Sequence, residues 1–247
     1  MDTFARLSKD EHKALLDRIV ESCRDGGKGR TPVVVFDLDG TLMDNRPRTA
    51  AILRELSTAW KDSHPSVATK LATAEAEQLA YLLTDTLGRL GVTRTDLIRE
   101  AEIFWRERFF TDGYLAHDVE VPGAAEFARA CYDAGGILVY FTGRDLPLMG
   151  LGSFASLRDL GFPIGVPGTE LVLKPDAQMP DEAFKRMSGP ALERVGRVVA
   201  IFDNEPGNCN VLGAHFPEAQ SVLLDTQHLP GAPPLDARVR VITDFRR

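Results

Sequence analysis

The stretch that decides the fold runs from Val33 to Met43 and reads VVVFDLDGTLM. Its first four residues are apolar and either β-branched or aromatic, which is typical of a strand buried on both faces of a parallel sheet. Asp37 and Asp39 follow directly, and such sheets bind ligands at the carboxyl ends of their strands. Asp and Gly also form turns, so the segment could be only a strand exit. The order Asp-x-Asp-Gly-Thr after an apolar strand instead favours an active site.

Composition narrows the class of protein. The chain has 247 residues, of which 44% are hydrophobic and 26% are charged, so it can bury a sizeable core. A formal net charge of −7 argues against a nucleic acid polymer as a partner, because polyanion binding needs a basic face. Three cysteines without a CxxC pair favour reduced thiols and a cytoplasmic protein. No run approaches the roughly 18 apolar residues of a membrane span, so we expect no membrane association, and the oligomeric state stays open.

The segments before and just after this stretch predict helices. Ser8 and Glu11 form the pattern of a capping box at the start of a helix. The glycine-rich residues 25–32 predict a loop without the order of a nucleotide P-loop. Residues 46–117 contain no convincing strand. We expect a helical insertion there, with helices at about 47–61, 66–90 and 93–110, and an insertion of this length suggests a lid or cap.

Strands and helices alternate along the rest of the chain, which indicates a mostly parallel sheet with helices on both faces. The predicted fold class is therefore α/β: a doubly wound, Rossmann-like core with an inserted all-α cap. We assign residues 1–45 and 118–247 to the core, with 1–30 as an N-terminal helical extension, and 46–117 to the cap. Further strands are predicted at 137–141, 170–173, 198–202, 221–224 and 239–242, and helices at about 122–134, 153–160, 181–195 and 208–215.

Polar residues follow three of the other predicted strands. Thr142 comes after the strand at 137–141, Asp203 after the strand at 198–202, and Lys174 after the short strand at 170–173. Because the carboxyl ends of parallel strands lie at one edge of a sheet, we expect these side chains to converge with Asp37 and Asp39.

This set resembles the haloacid dehalogenase-like hydrolase superfamily, a large group of mainly magnesium-dependent phosphatases, over most of the chain. VVVFDLDGTLM matches the first motif, VYFTGRD the second, the Lys of LVLKP the third and AIFDNEP the fourth, in this order. The resemblance implies a phosphatase with a helical cap that hydrolyses a small phosphorylated metabolite. By the same resemblance, Asp37 is the nucleophile that forms an aspartyl-phosphate, and Asp39 is the general acid and base.

The resemblance also assigns the residues around the phosphoryl group. Thr142 and Lys174 would hold its oxygens, and we prefer Lys174 to lysines such as Lys185, which are less well placed. Arg144 either reaches the substrate or pairs with Asp145. The predicted substrate-binding residues are Thr41, which supports the loop, Gly143 and Arg144.

A hard cation with oxygen ligands would neutralise the charge of a carboxylate attacking a phosphate dianion. The resemblance implies Mg²⁺, held by the side chains of Asp37 and Asp203 and by the backbone carbonyl of Asp39. The family often has a second acidic residue directly after the fourth-motif Asp or four to five positions later, where this chain has Asn204 and then Gly207 and Asn208. We favour Asn204 and Glu205 as further ligands over Asn208. The predicted metal ligands are Asp37, Asp39, Asp203, Asn204 and Glu205.

Several residues and functions keep two interpretations. Phe104, Trp105, Phe109 and Phe110 have helical spacing and are expected in the core of the cap rather than in a substrate box. Arg46 and Arg48 could steer an anionic leaving group, although solvated arginines are the default. Alternative functions are a phosphomutase, a phosphonate hydrolase and a non-catalytic binding protein on this fold. A dehalogenase is disfavoured because Asp39 is present. A non-catalytic binding protein is disfavoured because both aspartates of the first motif are intact.

Overall fold

A computed structural model describes residues 4–24 and 29–247. Parts of the predicted N-terminal extension, and residues 25–28 of the predicted glycine-rich loop, lie outside the described residues. None of the described helices has the length and apolar character that crossing a membrane requires.

A six-stranded sheet in the order β5-β4-β1-β6-β7-β8 forms the centre of the molecule, and all its pairings are parallel. A separate antiparallel pair, β2 and β3, lies where the chain leaves and re-enters this core. The strands are β1 (Pro32–Phe36), β2 (Met43–Asp44), β3 (Val119–Glu120), β4 (Ile137–Asp145), β5 (Thr169–Lys174), β6 (Arg197–Asp203), β7 (Gln220–Leu224) and β8 (Arg240–Ile242).

Nine α-helices accompany the strands within the described residues. They are α1 (Lys9–Arg24), α2 (Arg46–Ala59), α3 (Pro65–Ala72), α4 (Leu83–Arg89), α5 (Thr95–Phe109), α6 (Ala124–Asp133), α7 (Leu146–Asp159), α8 (Asp181–Ser188) and α9 (Pro206–His215). The predicted fold class is confirmed, because helices flank both faces of a parallel sheet and a helical segment is inserted in the chain between β2 and β3.

The alternation of side chains along β1 explains the two layers of helices. Val34 and Phe36 pack into a buried cluster with residues of α1, α6 and α7, while Val33 and Val35 pack into another with residues of α8 and α9. β1 lies between β4 and β6, and the order of the strands reverses there. The end of β1 is therefore the topological switch point, where α/β sheets form their binding crevice.

The helix that precedes β1 begins as predicted. The Ser8 backbone N–H donates to Glu11 Oε2 over 2.9 Å, and the Glu11 N–H donates to Ser8 Oγ over 3.4 Å. These two bonds make the capping box and satisfy backbone donors that the first helical turn cannot pair internally.

The insertion between β2 and β3 has its own hydrophobic core, which includes Leu53, Leu71, Leu87 and Leu97. One predicted helix in it, at 66–90, is wrong, because the chain there forms α3, a short 3₁₀ turn at Ala76–Gln78, and α4. Because the helix is broken, successive leucines reach one common core. The stabilisation from this tertiary packing overrides helix propensity.

The second motif also differs from its predicted position. Thr142, Gly143 and Arg144 lie within β4, which continues to Asp145, rather than in a loop after it. α7 then begins at Leu146, before the predicted start at 153, because the Asp145 side chain caps it by accepting from the Leu148 N–H over 3.0 Å.

Candidate active site

Asp37 follows β1 directly and is buried at the centre of the sheet edge. Its Oδ1 accepts a hydrogen bond from Lys185 Nζ over 2.7 Å, and the same ammonium donates to Asp203 Oδ2 over 2.5 Å. We call Asp37, Asp203 and Lys185 the Asp37 centre. All three side chains are almost completely buried, and the two carboxylates face one ammonium, so one formal negative charge remains uncompensated.

Burial raises the pKa of Asp37 to about 7; the Lys185 ammonium opposes this shift, and the Asp203 carboxylate adds to it. Burial lowers the pKa of Lys185, but attraction to Asp203 and Asp37 outweighs it and raises that pKa above its usual value. The centre therefore holds a cationic lysine, and its remaining negative charge can be balanced by a further cation.

Asp203, at the end of β6, is held firmly in place. Its Oδ1 accepts from the Glu205 N–H over 2.9 Å and from Asn208 Nδ2 over 3.2 Å. Because these donors and Lys185 engage both oxygens, the carboxylate is oriented beside Asp37 before any ligand binds.

Asp39 is surrounded by arginines instead. Arg144 Nε donates to Asp39 Oδ2 over 2.6 Å, and Arg48 Nη2 donates to Asp39 Oδ1 over 2.7 Å. The same two guanidinium groups contact the buried Asp118 at 2.8 and 2.5 Å. We call Asp39, Asp118, Arg48 and Arg144 the Asp39 centre, in which two carboxylates balance two cations.

The Asp39 centre ties the insertion to the core, because Arg48 lies on α2 and Asp118 lies just before β3. Burial alone would raise the pKa of Asp39, but Arg144 and Arg48 outweigh it and hold that pKa well below its usual range. Asp39 is therefore an ionised carboxylate in this arrangement.

These contacts correct two expectations about arginines. Arg48 was expected to be solvated, but its side chain is 0% exposed, and it is built into the Asp39 centre. Arg144 pairs with Asp39 and Asp118 rather than with Asp145, although it still lines the cleft. Arg46 does remain partly exposed, and it pairs with Asp44.

The structure separates the two candidate lysines. Lys174 Nζ donates to Asp181 Oδ1 over 2.6 Å and to the Met179 carbonyl over 2.9 Å, and Lys174 also lines the cleft. Lys185, which we considered less well placed, instead contacts Asp37 and Asp203. The geometry thus favours Lys185 over Lys174 beside the predicted nucleophile.

The remaining residues of the first two motifs surround Asp37. Thr41 Oγ1 lies 3.3 Å from both Asp37 Oδ2 and Asn204 Oδ1. The Thr142 hydroxyl is buried and accepts from the Arg144 N–H over 3.2 Å. Position 143 needs a glycine, because a Cβ there would lie 2.2 Å from an Asp181 carboxylate oxygen.

The two residues after Asp203 point in different directions. Asn204 packs on the Asp-Gly-Thr loop, and its Nδ2 donates to the Gln227 carbonyl over 2.5 Å, which leaves Oδ1 beside Thr41. The Glu205 carboxylate, which also lines the cleft, instead accepts from the Leu229 N–H over 3.1 Å. Of the two predicted metal ligands, only Asn204 contacts the loop that carries Asp37.

The oxygen atoms around Asp37 are the candidate ligands for a divalent cation. Among the residues that the structure describes, no group of three or more His, Cys, Asp and Glu side chains is arranged to hold a metal ion. The Asp37 centre nevertheless offers two carboxylates with excess negative charge, and the Asn204 amide oxygen lies nearby. An all-oxygen, anionic set fits a hard cation such as Mg²⁺.

A cleft of about 1280 Å³ opens above these residues, between the sheet edge and the helical insertion. Its floor includes Asp37, Asp39, Thr142 and Lys185. The wall from the insertion includes residues of α2, of the start of α4 and the segment before it, and of α5 and the residue after it: Thr49, Leu79, Tyr81, Leu83, Trp105, Phe109 and Phe110. Three of the four aromatic residues expected in the core of the cap thus line the cleft, and Phe104 does not.

Comparison with known proteins agrees with this architecture. The family model for haloacid dehalogenase-like hydrolases matches residues 31–205, from just before β1 into the fourth motif. The chain therefore belongs to the haloacid dehalogenase-like hydrolase family, and it is a hydrolase by that membership.

Similar solved structures share the fold at low sequence identity. One from Clostridium difficile, provisionally described as a phosphatase, is 17% identical, covers 85% of this chain and 93% of its own, and has a TM-score of 0.54. A haloacid dehalogenase superfamily hydrolase of subfamily IA from Geobacter sulfurreducens is 13% identical, covers 89% and 95%, and has a TM-score of 0.52. No curated protein matches the chain.

Sequence reasoning missed Lys185 and Asp118 as parts of these two centres. One available signal was the spacing of Asp181 and Lys185, which lie four residues apart and therefore on one face of α8. For Asp118 the signal was its position at the end of the insertion, but its pairing with Arg48 spans 70 residues and depends on the fold.

Proposed function

We propose that this chain is a magnesium-dependent phosphomonoester hydrolase that acts on a small phosphorylated metabolite through an aspartyl-phosphate on Asp37. The observation that carries the proposal is the Asp37 centre, in which a buried carboxylate at the switch point is fixed beside Asp203 by Lys185 and faces the cleft. Family membership makes the chain a hydrolase, and the anionic centre would take a cation that neutralises a phosphoryl group beside the Lys185 ammonium.

In the first step, an Asp37 carboxylate oxygen attacks phosphorus, the bond from phosphorus to the leaving oxygen breaks, and Asp39 gives that oxygen a proton. In the second step, Asp39 takes a proton from a water molecule whose oxygen attacks phosphorus. The bond to Asp37 then breaks and phosphate leaves. Because two arginines keep Asp39 ionised here, it must exchange one of these contacts before it can carry the proton for the first step.

Other residues would stabilise charge in both steps. Lys185, rather than Lys174, would hold a phosphoryl oxygen, because it is the ammonium beside the nucleophile. The Thr142 hydroxyl lines the cleft and would donate to a phosphoryl oxygen. The side chains of Asp37 and Asp203, the Asp39 carbonyl and the Asn204 amide would hold Mg²⁺. When bound, Mg²⁺ neutralises charge on the phosphoryl group and on the attacking carboxylate.

We further propose that residues 46–117 act as a cap over a core made of residues 1–45 and 118–247. The separate hydrophobic core of the insertion and its place above the cleft support this division. Such a cap would exclude water from the reacting phosphoryl group. We also propose that the protein works in the cytoplasm, which its three free cysteines support.

The proposal is tested by hydrolysis of p-nitrophenyl phosphate after chelation, with and without added Mg²⁺. We expect activity only with Mg²⁺, and a loss of at least about a thousandfold in Asp37→Asn, since this change removes the nucleophile. Asp159→Asn is the matched control, because this exposed α7 carboxylate pairs with Arg158 alone among the residues that the structure describes. Inactivity of the wild type on a broad phosphoester panel, or full activity of Asp37→Asn, would contradict the proposal.

A further inference from the structure

Three aromatic rings lie together on the side of the cleft formed by the insertion, beside the polar residues Glu102 and Arg106. The ring centroids of Trp105 and Phe109 lie 4.3 Å apart, those of Phe109 and Phe110 lie 5.0 Å apart, and all three residues line the cleft. Phe110 is 40% exposed, which is unusual for a large apolar side chain that only fills a core. The cluster therefore presents aromatic surface to whatever occupies the cleft.

A chain of direct contacts connects this wall to Asp39. The Arg48 guanidinium carbon lies 4.3 Å from the centroid of the Phe109 ring, and Arg48 Nη2 lies 2.7 Å from Asp39 Oδ1. In the proposed reaction, Asp39 gives its proton to the leaving oxygen. The organic part of the leaving group therefore begins beside Asp39, and a single side chain, Arg48, separates Asp39 from the Phe109 ring.

The chemistry of the wall limits what it can recognise. Trp105 Nε1 already donates to Thr49 Oγ1 over 3.1 Å, so the one polar atom of the cluster is satisfied within the protein. A polyhydroxylated leaving group placed there would lose hydrogen bonds with water and gain none from the rings. A planar ring would instead bury apolar area and stack in offset or edge-to-face geometry.

From these contacts we propose that the physiological substrate is a phosphomonoester whose leaving group carries a planar aromatic ring that packs on Trp105 and Phe110. This inference rests on the proposed function and adds a substrate class to it. The ring can stand next to the phosphate ester, as in an arylalkyl phosphate, or one sugar away, as in a nucleoside 5′-monophosphate. A cleft of about 1280 Å³ has room for either.

Two matched pairs of substrates distinguish these two positions of the ring while keeping the phosphate ester nearly constant. Benzyl phosphate is compared with cyclohexylmethyl phosphate, and uridine 5′-monophosphate with ribose 5-phosphate, each with Mg²⁺ present. We expect kcat/KM to favour the aromatic member by about tenfold in at least one pair, the size of effect that aromatic contacts produce. The pair that shows the preference identifies where the ring stands.

Substitutions on α5 and at Phe110, which follows it, then locate the ring. Phe110→Leu and Trp105→Leu keep an apolar side chain but remove an aromatic face, and we expect each to reduce the aromatic preference at least about threefold. Ile103→Leu is the matched control on the same helix, because Ile103 is 53% exposed and lies outside the cleft lining. Thermal melting of each variant verifies folding, and Phe110→Tyr, which keeps a ring, should keep the preference.

The outcomes separate the inference from the proposed function. Activity with equal kcat/KM within both pairs would overturn the aromatic substrate class and leave the phosphatase assignment intact. An aromatic preference that survives both leucine variants would overturn the assignment of the wall. Failure to hydrolyse any of the four esters, or a wider phosphoester panel, with Mg²⁺ would overturn the proposed function itself.

Discussion

The two aspartates of the first motif are two residues apart, yet the charges around them differ. In the Asp37 centre, two carboxylates face one ammonium, so negative charge is in excess. In the Asp39 centre, two carboxylates face two guanidinium groups and the charges balance. The difference suggests that the first centre is arranged to receive a further cation, while the second holds one carboxylate ionised and links the cap to the core.

The largest expected effect comes from removing the single cation of the Asp37 centre. Lys185→Met leaves two buried carboxylates without their partner, so we expect a loss of about 3–5 kcal/mol in the free energy of unfolding. Phosphatase activity should fall by at least about a thousandfold. Urea unfolding and initial rates measure the two effects.

Lys174→Met is the matched control for this change. Its partner Asp181 is 59% exposed, so the loss of stability should stay below about 1 kcal/mol. If Lys174→Met abolished activity while Lys185→Met kept it, the lysine chosen from the sequence would be correct and our assignment of Lys185 would be wrong.

The excess negative charge predicts a second difference between the centres. At a Mg²⁺ concentration about one hundred times its Kd, the wild type should gain about 2.7 kcal/mol of stability, visible as a higher melting temperature. Asp203→Asn should remove most of this gain, whereas Asp118→Asn should lower stability without changing the gain. An equal Mg²⁺ response in both variants would show that the charge balance does not locate the cation.

Breaking the neutral centre should cost less than breaking the anionic one. In Arg48→Met, Arg144 still pairs with both carboxylates, so we expect a loss of about 2 kcal/mol in unfolding free energy. Adding Asp118→Asn should cause less further loss than it does alone, because the two residues act as a pair. A double-mutant cycle by urea unfolding measures this coupling, and strict additivity would mean that the contact contributes little.

The smallest expected effect distinguishes the two residues after Asp203. Asn204→Ala should raise the Mg²⁺ concentration for half-maximal activity by about tenfold, as loss of a ligand or its neighbour does. Glu205→Gln should change it less than about twofold, since the Glu205 carboxylate is turned to Leu229. The reverse order would place Glu205, rather than Asn204, at the metal.

Much of the fold was predictable because its signals are local. The apolar run that ends at Asp37 could only be a buried strand, and similar runs before Thr142 and Asp203 gave the neighbouring strands. Parallel pairing then brings those three ends together, since β4 and β6 flank β1. The limits of individual helices were less predictable, as the broken segment between α3 and α4 shows, because packing rather than propensity sets them.

The sequence by itself determined the strand that presents Asp37 and Asp39, the family, and the set of strand ends around them, because each depends on residues close together in the chain. Only the tertiary structure decided which cations stand beside each carboxylate. Lys185 reaches Asp37 across 148 residues, and Arg144 reaches Asp39 across 105. Such contacts depend on how α8, α2 and β4 pack together, and a charged residue carries no local sign of whether it will be buried with a partner or left in water.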